Sequence, residues 1–264
     1  MLSRRTGVWI LSGVTLAIAI AAVLAPRFAQ PLSYHQFADT RSWLGIPNFG
    51  DVVSNAGFAI VGVWGLLVLL GNPRRVAFVD ARERWPYVIA FAGMLLVAAG
   101  STYYHLNPDN NRLVWDRLPM ALVFVSLVDA MLMERASVKA GILLLPLLMI
   151  LGIASVVQWY ASELHGSEDL RFYTAVQVYA VVFLLVTLLL PAQYTRSGDW
   201  LIIVGLYVLA KSLELGDRAV FGFGHIAGGH TLKHLTAASA GWYLLRMLQK
   251  RNVREQAITP QSSC

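Results

Sequence analysis

Eight long apolar runs constrain this chain more than any other feature of its sequence. They lie at about residues 8–25, 51–71, 86–105, 113–133, 139–159, 171–191, 199–216 and 228–248. A helix needs roughly 20 apolar residues to cross the hydrocarbon core of a bilayer, and each run is close to that length. Only 14% of the residues are charged, whereas soluble domains carry about 25%. We therefore expect an all-α fold, a polytopic transmembrane helix bundle.

The lysines and arginines fall unevenly on the two sides that eight spanning helices would define. One side collects 13 of the 21, namely Arg4, Arg5, Arg74, Arg75, Arg82, Arg84, Arg135, Lys139, Arg196, Arg246, Lys250, Arg251 and Arg254. Because cytoplasmic loops carry the excess of basic residues, both chain termini are predicted to be cytoplasmic. The longest connection, about residues 26–50, contains three prolines and two glycines and is predicted to be an ordered loop on the outer face.

Three segments follow from these runs. Residues 1–33 form an N-terminal anchor helix and the start of the outer loop. Their apolar stretch is longer than that of a typical secretion signal, so an anchor is favoured over a cleaved signal. Residues 34–250 contain the other seven runs and form the membrane domain. Residues 251–264 are polar and are predicted to be a disordered cytoplasmic tail. The sequence does not indicate an oligomeric state.

Charge and cysteine content exclude two classes of function. The net charge of +6 comes from basic residues scattered between apolar runs, and a nucleic-acid-binding protein would gather them in a stripe. We therefore expect no nucleic-acid partner. The single cysteine, Cys264, is unable to form an intramolecular disulfide, and a thiol nucleophile is not expected at that position.

Several polar residues lie at the ends of the apolar runs. They are Ser101 and His105 in the third run, Asp116 in the fourth, Glu214 and Asp217 at the end of the seventh, and His230 and His234 in the eighth. Ionisable side chains are costly at membrane depth, which makes them candidates for function. In the predicted orientation all of these residues lie toward the outer leaflet.

The spacing of the histidines suggests a metal site. Residues four apart share one face of a helix, as do Ser101 with His105 and His230 with His234. Zinc is bound by nitrogen, oxygen or sulfur ligands, and a catalytic zinc keeps one coordination position for water. Two histidines from one helix and His105 from another would supply three ligands and leave that position open.

Each residue also has a structural interpretation when it is taken alone. A histidine pair on one helix can serve in hydrogen bonds between helices, and Ser101 can be a packing hydroxyl. Asp116 can pair with Arg112 or Arg117, and Glu214 can neutralise Lys211. The occurrence of these signals at one membrane depth favours the metal site.

The remaining basic side chains at this depth receive structural interpretations as well. Lys233 is interpreted as extending to the outer surface, where its charge would be solvated. His35, His165 and His225 fall in outer loops and are expected to be solvated too.

The order of these motifs resembles the alkaline ceramidase family. That family belongs to a superfamily of seven-helix membrane hydrolases that includes the adiponectin receptors. The resemblance rests on Ser101-x-x-x-His105, on Asp116 eleven residues later, on His230-x-x-x-His234, and on the segment 48–55, which looks like the entry to the family's first core helix. It covers about residues 34–248, so the run at 8–25 is an addition to the family's pattern.

The resemblance implies a zinc-dependent hydrolase that cleaves the amide bond of ceramide or another N-acyl lipid and releases a fatty acid. In that case His105, His230 and His234 carry the zinc. Asp116 handles the protons, and Ser101 assists at the reacting carbonyl. A metal ion lowers the pKa of bound water to about 7, which makes such hydrolysis feasible at neutral pH.

The resemblance also bears on a second ion. Animal ceramidases place acidic residues before the first core helix as a calcium site. Only Asp39 and Asn48 correspond here, so we do not expect that site to be complete. Asn55, Glu214 and Asp217 join these two as candidates for a secondary ion site or for holding the zinc ligands.

Two other classes of function remain open at this point. A transporter or channel would place polar residues along the full membrane depth. The polar residues stay at one end, with Asp129 as the exception. A receptor with a structural zinc would need four protein ligands, so that Asp116 would have to be the fourth.

Overall fold

The structure is a computed structural model that describes residues 3–71 and 75–254. Within these residues the fold is all-helical, apart from isolated bridges that join Trp43 to Ile46 and Tyr194 to Val253. The helices are α1 (Arg4–Leu24), α2 (Phe49–Ser54), α3 (Ala56–Gly71), α4 (Arg84–Leu106), α5 (Asn110–Arg135), α6 (Val138–Leu164), α7 (Arg171–Thr187), α8 (Asp199–Leu215), α9 (Asp217–Gly222) and α10 (Gly229–Lys250). Short 3-10 helices span Leu32–His35 and Ala81–Glu83.

Every predicted apolar run coincides with helix, with two local differences. The second run is interrupted at Asn55, where α2 ends and α3 begins. The side chains of Ser54 and Asn55 both donate to the main-chain oxygen of Asp51, at 3.1 and 2.9 Å. Such local hydrogen bonds compete with the helical ladder, which explains the interruption. The seventh run is followed by the short helix α9, which begins at Asp217.

Four helical segments in the described part of the chain are long and apolar enough to cross a membrane. They are Arg5–Leu24, Phe49–Gly71, Ala81–Leu106 and Val138–Leu164. Large apolar side chains remain exposed on these segments, for example Leu143, Ile150 and Val157 on α6. A soluble surface rarely carries so continuous an apolar patch. These segments indicate a membrane protein.

The helices pack around α5, which contacts α4, α6 and α7. α10 packs against α8 and α3, and α1 contacts α7. Small residues allow the closest approaches between backbones, as is usual in membrane bundles. A Cβ atom on Gly62 would lie 2.8 Å from the main-chain nitrogen of Leu95, and one on Gly100 would lie 2.7 Å from the carbonyl carbon of Trp115. The second contact sets the distance between α4 and α5 beside Ser101.

The C-terminal tail is ordered further than predicted. Arg251 is buried, pairs with Glu134 and stacks over the ring of Tyr194 at 3.9 Å. The main-chain nitrogen of Arg254 donates to Gln193 at 2.8 Å. The prediction of disorder from residue 251 is therefore wrong for the first four residues, because a buried ion pair holds them. The rest of the predicted tail, from residue 255, lies outside the described residues.

Candidate metal centre

The three histidines singled out from the sequence meet at one end of the bundle. His105 lies in the last turn of α4, and His230 and His234 lie in the first two turns of α10. One ligand atom from each lies within 4.8 Å of the others, and all three residues are buried. Their ring centroids are 4.9 to 5.0 Å apart. This buried triad could hold a metal ion.

Hydrogen bonds fix the ring of His234. Its Nδ1 atom lies 2.9 Å from the Ser54 hydroxyl and 3.1 Å from the main-chain oxygen of Asp51. A carbonyl oxygen only accepts, so Nδ1 carries the proton and Nε2 keeps its lone pair. Metal-binding histidines are commonly oriented in this way through their second ring nitrogen. Asp51 is bonded to α10 a second time, since its Oδ1 accepts from the Thr231 hydroxyl at 2.6 Å.

The other two rings also present lone pairs. Both ring nitrogens of His105 are buried and have no hydrogen-bond partner among the described residues. Such unpaired buried nitrogens are rare in proteins, and an ion bound by the ring would account for one of the two. The Nε2 atom of His230 lies 3.2 Å from the Lys233 ammonium. An ammonium only donates, so this Nε2 has a lone pair as well.

The donor set fits a zinc ion. Three neutral imidazoles are a common ligand set of catalytic zinc sites, which leave the fourth position to water. Among the described residues no carboxylate or cysteine joins the group of three. The identity of the ion stays a prediction.

Asp116 and Ser101 lie together near the triad. Both are buried, with exposed fractions of 3% and 1%. Ser101 and Asp116 line the same cavity, together with His234. Among the described residues Asp116 has no ion pair with Arg112 or Arg117; Arg112 instead lies 4.0 Å from Asp109. The ion-pair interpretation of Asp116 is therefore wrong.

A cavity of about 600 Å³ connects these residues to the interior of the bundle. Ser101, Asp116 and His234 line one end of it, and the remainder is lined mainly by apolar side chains of α4, α5, α7, α8 and α10. The lining extends along α10 as far as Leu244, ten residues beyond His234, which is about 15 Å of helix. The volume is typical of small-molecule sites.

A buried ion-pair cluster lies next to the triad. Glu214 accepts from Lys233 at 2.8 Å, from the Tyr34 hydroxyl at 3.0 Å, and from Lys211. The predicted pairing of Glu214 with Lys211 is thus present. The interpretation of Lys233 as reaching the outer surface is wrong, because its side chain is only 9% exposed and points to Glu214.

The candidates for a secondary ion site are engaged in other contacts. Asp39 accepts from the Arg41 guanidinium through both oxygens at 2.7 Å, and these hydrogen bonds lower the pKa of the Asp39 carboxyl. Asn48 donates to the main-chain oxygen of His105 at 2.8 Å. Arg41 neutralises the Asp39 carboxylate, and the Asn48 oxygen is then the one remaining acceptor of the two candidate calcium ligands. This arrangement does not fit a calcium ion.

Asn55 and Asp217 hold the surrounding backbone. Asn55 donates to the main-chain oxygen of Asp51 at 2.9 Å. Asp217 accepts from the main-chain nitrogens of Ala38 and His230, at 2.8 and 2.9 Å. The first of these bonds attaches the outer loop to α9, and the second attaches the start of α10. These contacts position the helix that carries two of the histidines.

The three histidines outside the triad behave differently from one another. His165 and His225 are exposed, as predicted. His35 is half-buried and bonded to the Tyr104 hydroxyl at 2.9 Å, so its predicted solvation is wrong.

Sequence reasoning missed Ser54 and Asp51, the two residues that contact the ring of His234. Both fall within the segment 48–55, and an acidic residue at the start of an apolar run was a usable signal for Asp51. The hydroxyl of Ser54 offered no such signal.

No protein-family model matches this sequence, and a search of curated proteins found no match either. The resemblance to the alkaline ceramidases therefore rests on the short motifs and on their order along the chain.

Proposed function

We propose that this protein is a zinc-dependent membrane hydrolase that cleaves the amide bond of ceramide or a related N-acyl lipid and releases a fatty acid. In this proposal α2 to α10 form a seven-helix core, in which α2 counts with α3 and α9 with α8. α1 is an added helix, and both termini are cytoplasmic. The histidines then face the non-cytoplasmic side. The observation that carries the proposal is a buried triad of imidazoles, one of which, His234, lines a long and mainly apolar cavity.

The site contains the groups that amide hydrolysis needs. A zinc ion held by the three histidines would supply a water molecule of lowered pKa and a Lewis acid for the carbonyl. The Asp116 carboxylate is the base that takes the proton of the attacking water and returns it to the leaving amine. The Ser101 hydroxyl donates to the oxygen of the carbonyl as negative charge develops there.

The cavity suits a lipid substrate. An acyl chain lying among the side chains of α5, α7 and α10 would remove apolar surface from water at roughly 25 cal/mol per Å². The reacting carbonyl would lie beside Ser101, Asp116 and His234, at the polar end of the same cavity. Because the described histidine group lacks a fourth protein ligand, the site resembles a catalytic centre more than a closed structural one.

The decisive experiment measures metal content and hydrolysis on matched variants. Purified wild type and His165→Ala, which alters an exposed histidine, are expected to hold one zinc per chain. His230→Ala is expected to lose it. The zinc-loaded wild type is then screened against N-acyl lipids and lipid esters for fatty-acid release. Retention of zinc by folded His230→Ala, or no release from any lipid, would overturn the proposal.

A further inference from the structure

The polar end of the cavity carries more positive than negative side chains. Five charged residues line it, namely Asp116, Arg117, Lys211, Glu214 and Lys233. Three are cationic and two are anionic, so their formal charges sum to +1. A buried charge is costly unless it is paired or hydrogen-bonded. The surplus cation lies in a cavity whose remaining lining is mainly apolar.

Within the part of the chain that the structure describes, Lys233 lacks a full set of acceptors. Its ammonium has three donor hydrogens and donates to Glu214 at 2.8 Å. Its second contact, at 3.2 Å, is with the Nε2 atom of His230, so two acceptors face three donor hydrogens. Glu214 is shared with Lys211 and with the Tyr34 hydroxyl. The Glu214 carboxylate is therefore shared by two lysines.

Arg117 offers a second buried cation. It is 4% exposed, contacts the side-chain oxygen of Gln30, and packs its guanidinium over Trp159 and Tyr173 at 4.1 and 4.8 Å. Among the described residues its buried Nη1 atom has no hydrogen-bond partner, and Arg117 takes part in no ion pair. A fixed guanidinium of this kind matches a carboxylate or a phosphate.

Tyr34 shows that the two cations belong to one site. The Arg117 guanidinium lies 5.6 Å from the centre of the Tyr34 ring. The hydroxyl of the same tyrosine donates to Glu214, the partner of Lys233. Both cations line the cavity that contains Ser101, Asp116 and His234.

We propose that Arg117 and Lys233 form an anion subsite, which selects lipids that carry a carboxylate or a phosphate in the head group over neutral ones. This inference rests on the proposed function, because it assigns the head group of the N-acyl substrate. With the acyl chain among the apolar side chains, an anionic head supplies the acceptors that Arg117 Nη1 and the Lys233 ammonium lack. A neutral head leaves the surplus charge uncompensated.

Binding of paired ligands to the zinc-loaded wild type tests the subsite without requiring hydrolysis. One pair is N-palmitoylglycine and its neutral methyl ester; the other is ceramide 1-phosphate and ceramide. Charged hydrogen bonds support a preference of at least about tenfold for the anionic member of one pair. The pair that shows it identifies carboxylate or phosphate as the head group. No anionic preference in either pair would overturn the inference.

Substitutions test whether Arg117 and Lys233 produce the preference for anionic ligands. Arg117→Gln and Lys233→Gln are each expected to reduce the affinity ratio of anionic to neutral ligand to about one. Arg112→Gln is the control, because Arg112 lies on the same helix but is paired with Asp109 outside the cavity. Full preference in folded Arg117→Gln and Lys233→Gln would refute the assignment. Anion-selective binding without fatty-acid release would support the anion subsite and contradict the hydrolase function. Failure of the subsite and failure of the proposed function are therefore distinguishable.

Discussion

The Nδ1 atom of His234 lies 2.9 Å from the hydroxyl of Ser54, and this contact joins α10 to the end of α2. The imidazole is thereby held with Nε2 available as a ligand. Replacing a residue that orients a metal-binding histidine typically lowers metal affinity about 10-fold to 100-fold.

Ser54→Ala is therefore expected to weaken zinc binding by about tenfold, since the bond to the main-chain oxygen of Asp51 remains. Zinc titration against a competing chelator measures the change. Ser239→Ala is the matched control on α10, because among the described residues that exposed hydroxyl bonds only to the main-chain oxygen of Leu235 in its own helix. Equal affinity of Ser54→Ala and wild type would show that the hydroxyl does not orient the ring.

Gly100 allows α4 to approach α5 beside Ser101 and Asp116. A Cβ atom there would contact the main-chain oxygen of Trp115 and lie 2.7 Å from its carbonyl carbon. Gly100→Ala is expected to separate the helices, to destabilise the protein by about 1–3 kcal/mol, and to lower hydrolysis.

Thermal unfolding in detergent and the rate of fatty-acid release measure these two effects. Gly205→Ala is the control, since a Cβ atom at that position on α8 meets nothing within 4 Å. This change should be neutral or slightly stabilising, because alanine favours helix over glycine. If Gly100→Ala behaved like Gly205→Ala, close packing of α4 on α5 would not be needed for activity.

Much of this site could be predicted because two simple rules apply to it. Helical periodicity places His230 and His234 on one face, and the cost of charge in lipid singles out buried ionisable residues. The position of His105 opposite them followed from its depth along the third run. The approximate positions of the long helices followed from apolar length, whereas the break at Asn55 and the short helix α9 did not.

The errors concern contacts between elements distant in sequence. The direction in which Lys233 points is decided by Glu214, which lies on another helix. Arg251 is buried because Glu134 and Tyr194 surround it, and a polar tail gives no sign of these partners. Arg117 was considered as a partner of Asp116, but its guanidinium contacts Gln30, Trp159 and Tyr173, which no local pattern connects.

Calcium is expected to have no effect on activity. Asp39 is held by Arg41, and the low pKa of its carboxyl keeps this pair charged. The zinc-loaded protein, desalted into calcium-free buffer, should hydrolyse lipid at the same rate when calcium is added back. A clear rise in rate with added calcium would show that Asp39 exchanges Arg41 for the ion.

The ion pair of Glu134 and Arg251 stabilises the end of the bundle away from the histidines. Their side chains are 4% and 1% exposed, and Glu134 also accepts from the Tyr87 hydroxyl at 2.6 Å. Removal of one partner leaves a buried charge, which typically costs 3–5 kcal/mol, so about that loss is expected for Glu134→Gln.

Unfolding in detergent measures the loss, and zinc binding at low temperature should be unchanged. Asp80→Asn tests an ion pair with Arg82, whose side chain is 60% exposed, and should cost at most about 1 kcal/mol. Equal losses of stability in Glu134→Gln and Asp80→Asn would show that burial does not make the ion pair of Glu134 and Arg251 more important for stability. Loss of zinc from folded Glu134→Gln would show that the two ends of the bundle are coupled.

Asp116→Asn separates chemistry from metal binding. The amide keeps the size of the side chain, but it is unable to take a proton. Removal of a general base commonly slows a reaction by about 10²–10⁴-fold, and a loss in that range is expected with zinc content unchanged.

Asp129→Asn is the control on the same helix, where a buried carboxylate lies 13 residues, or about 20 Å, from Asp116. Hydrolysis by Asp129→Asn should match wild type. Full hydrolysis by Asp116→Asn would remove Asp116 as the base, and loss of zinc from it would indicate that Asp116 is a metal ligand, as a closed structural site requires.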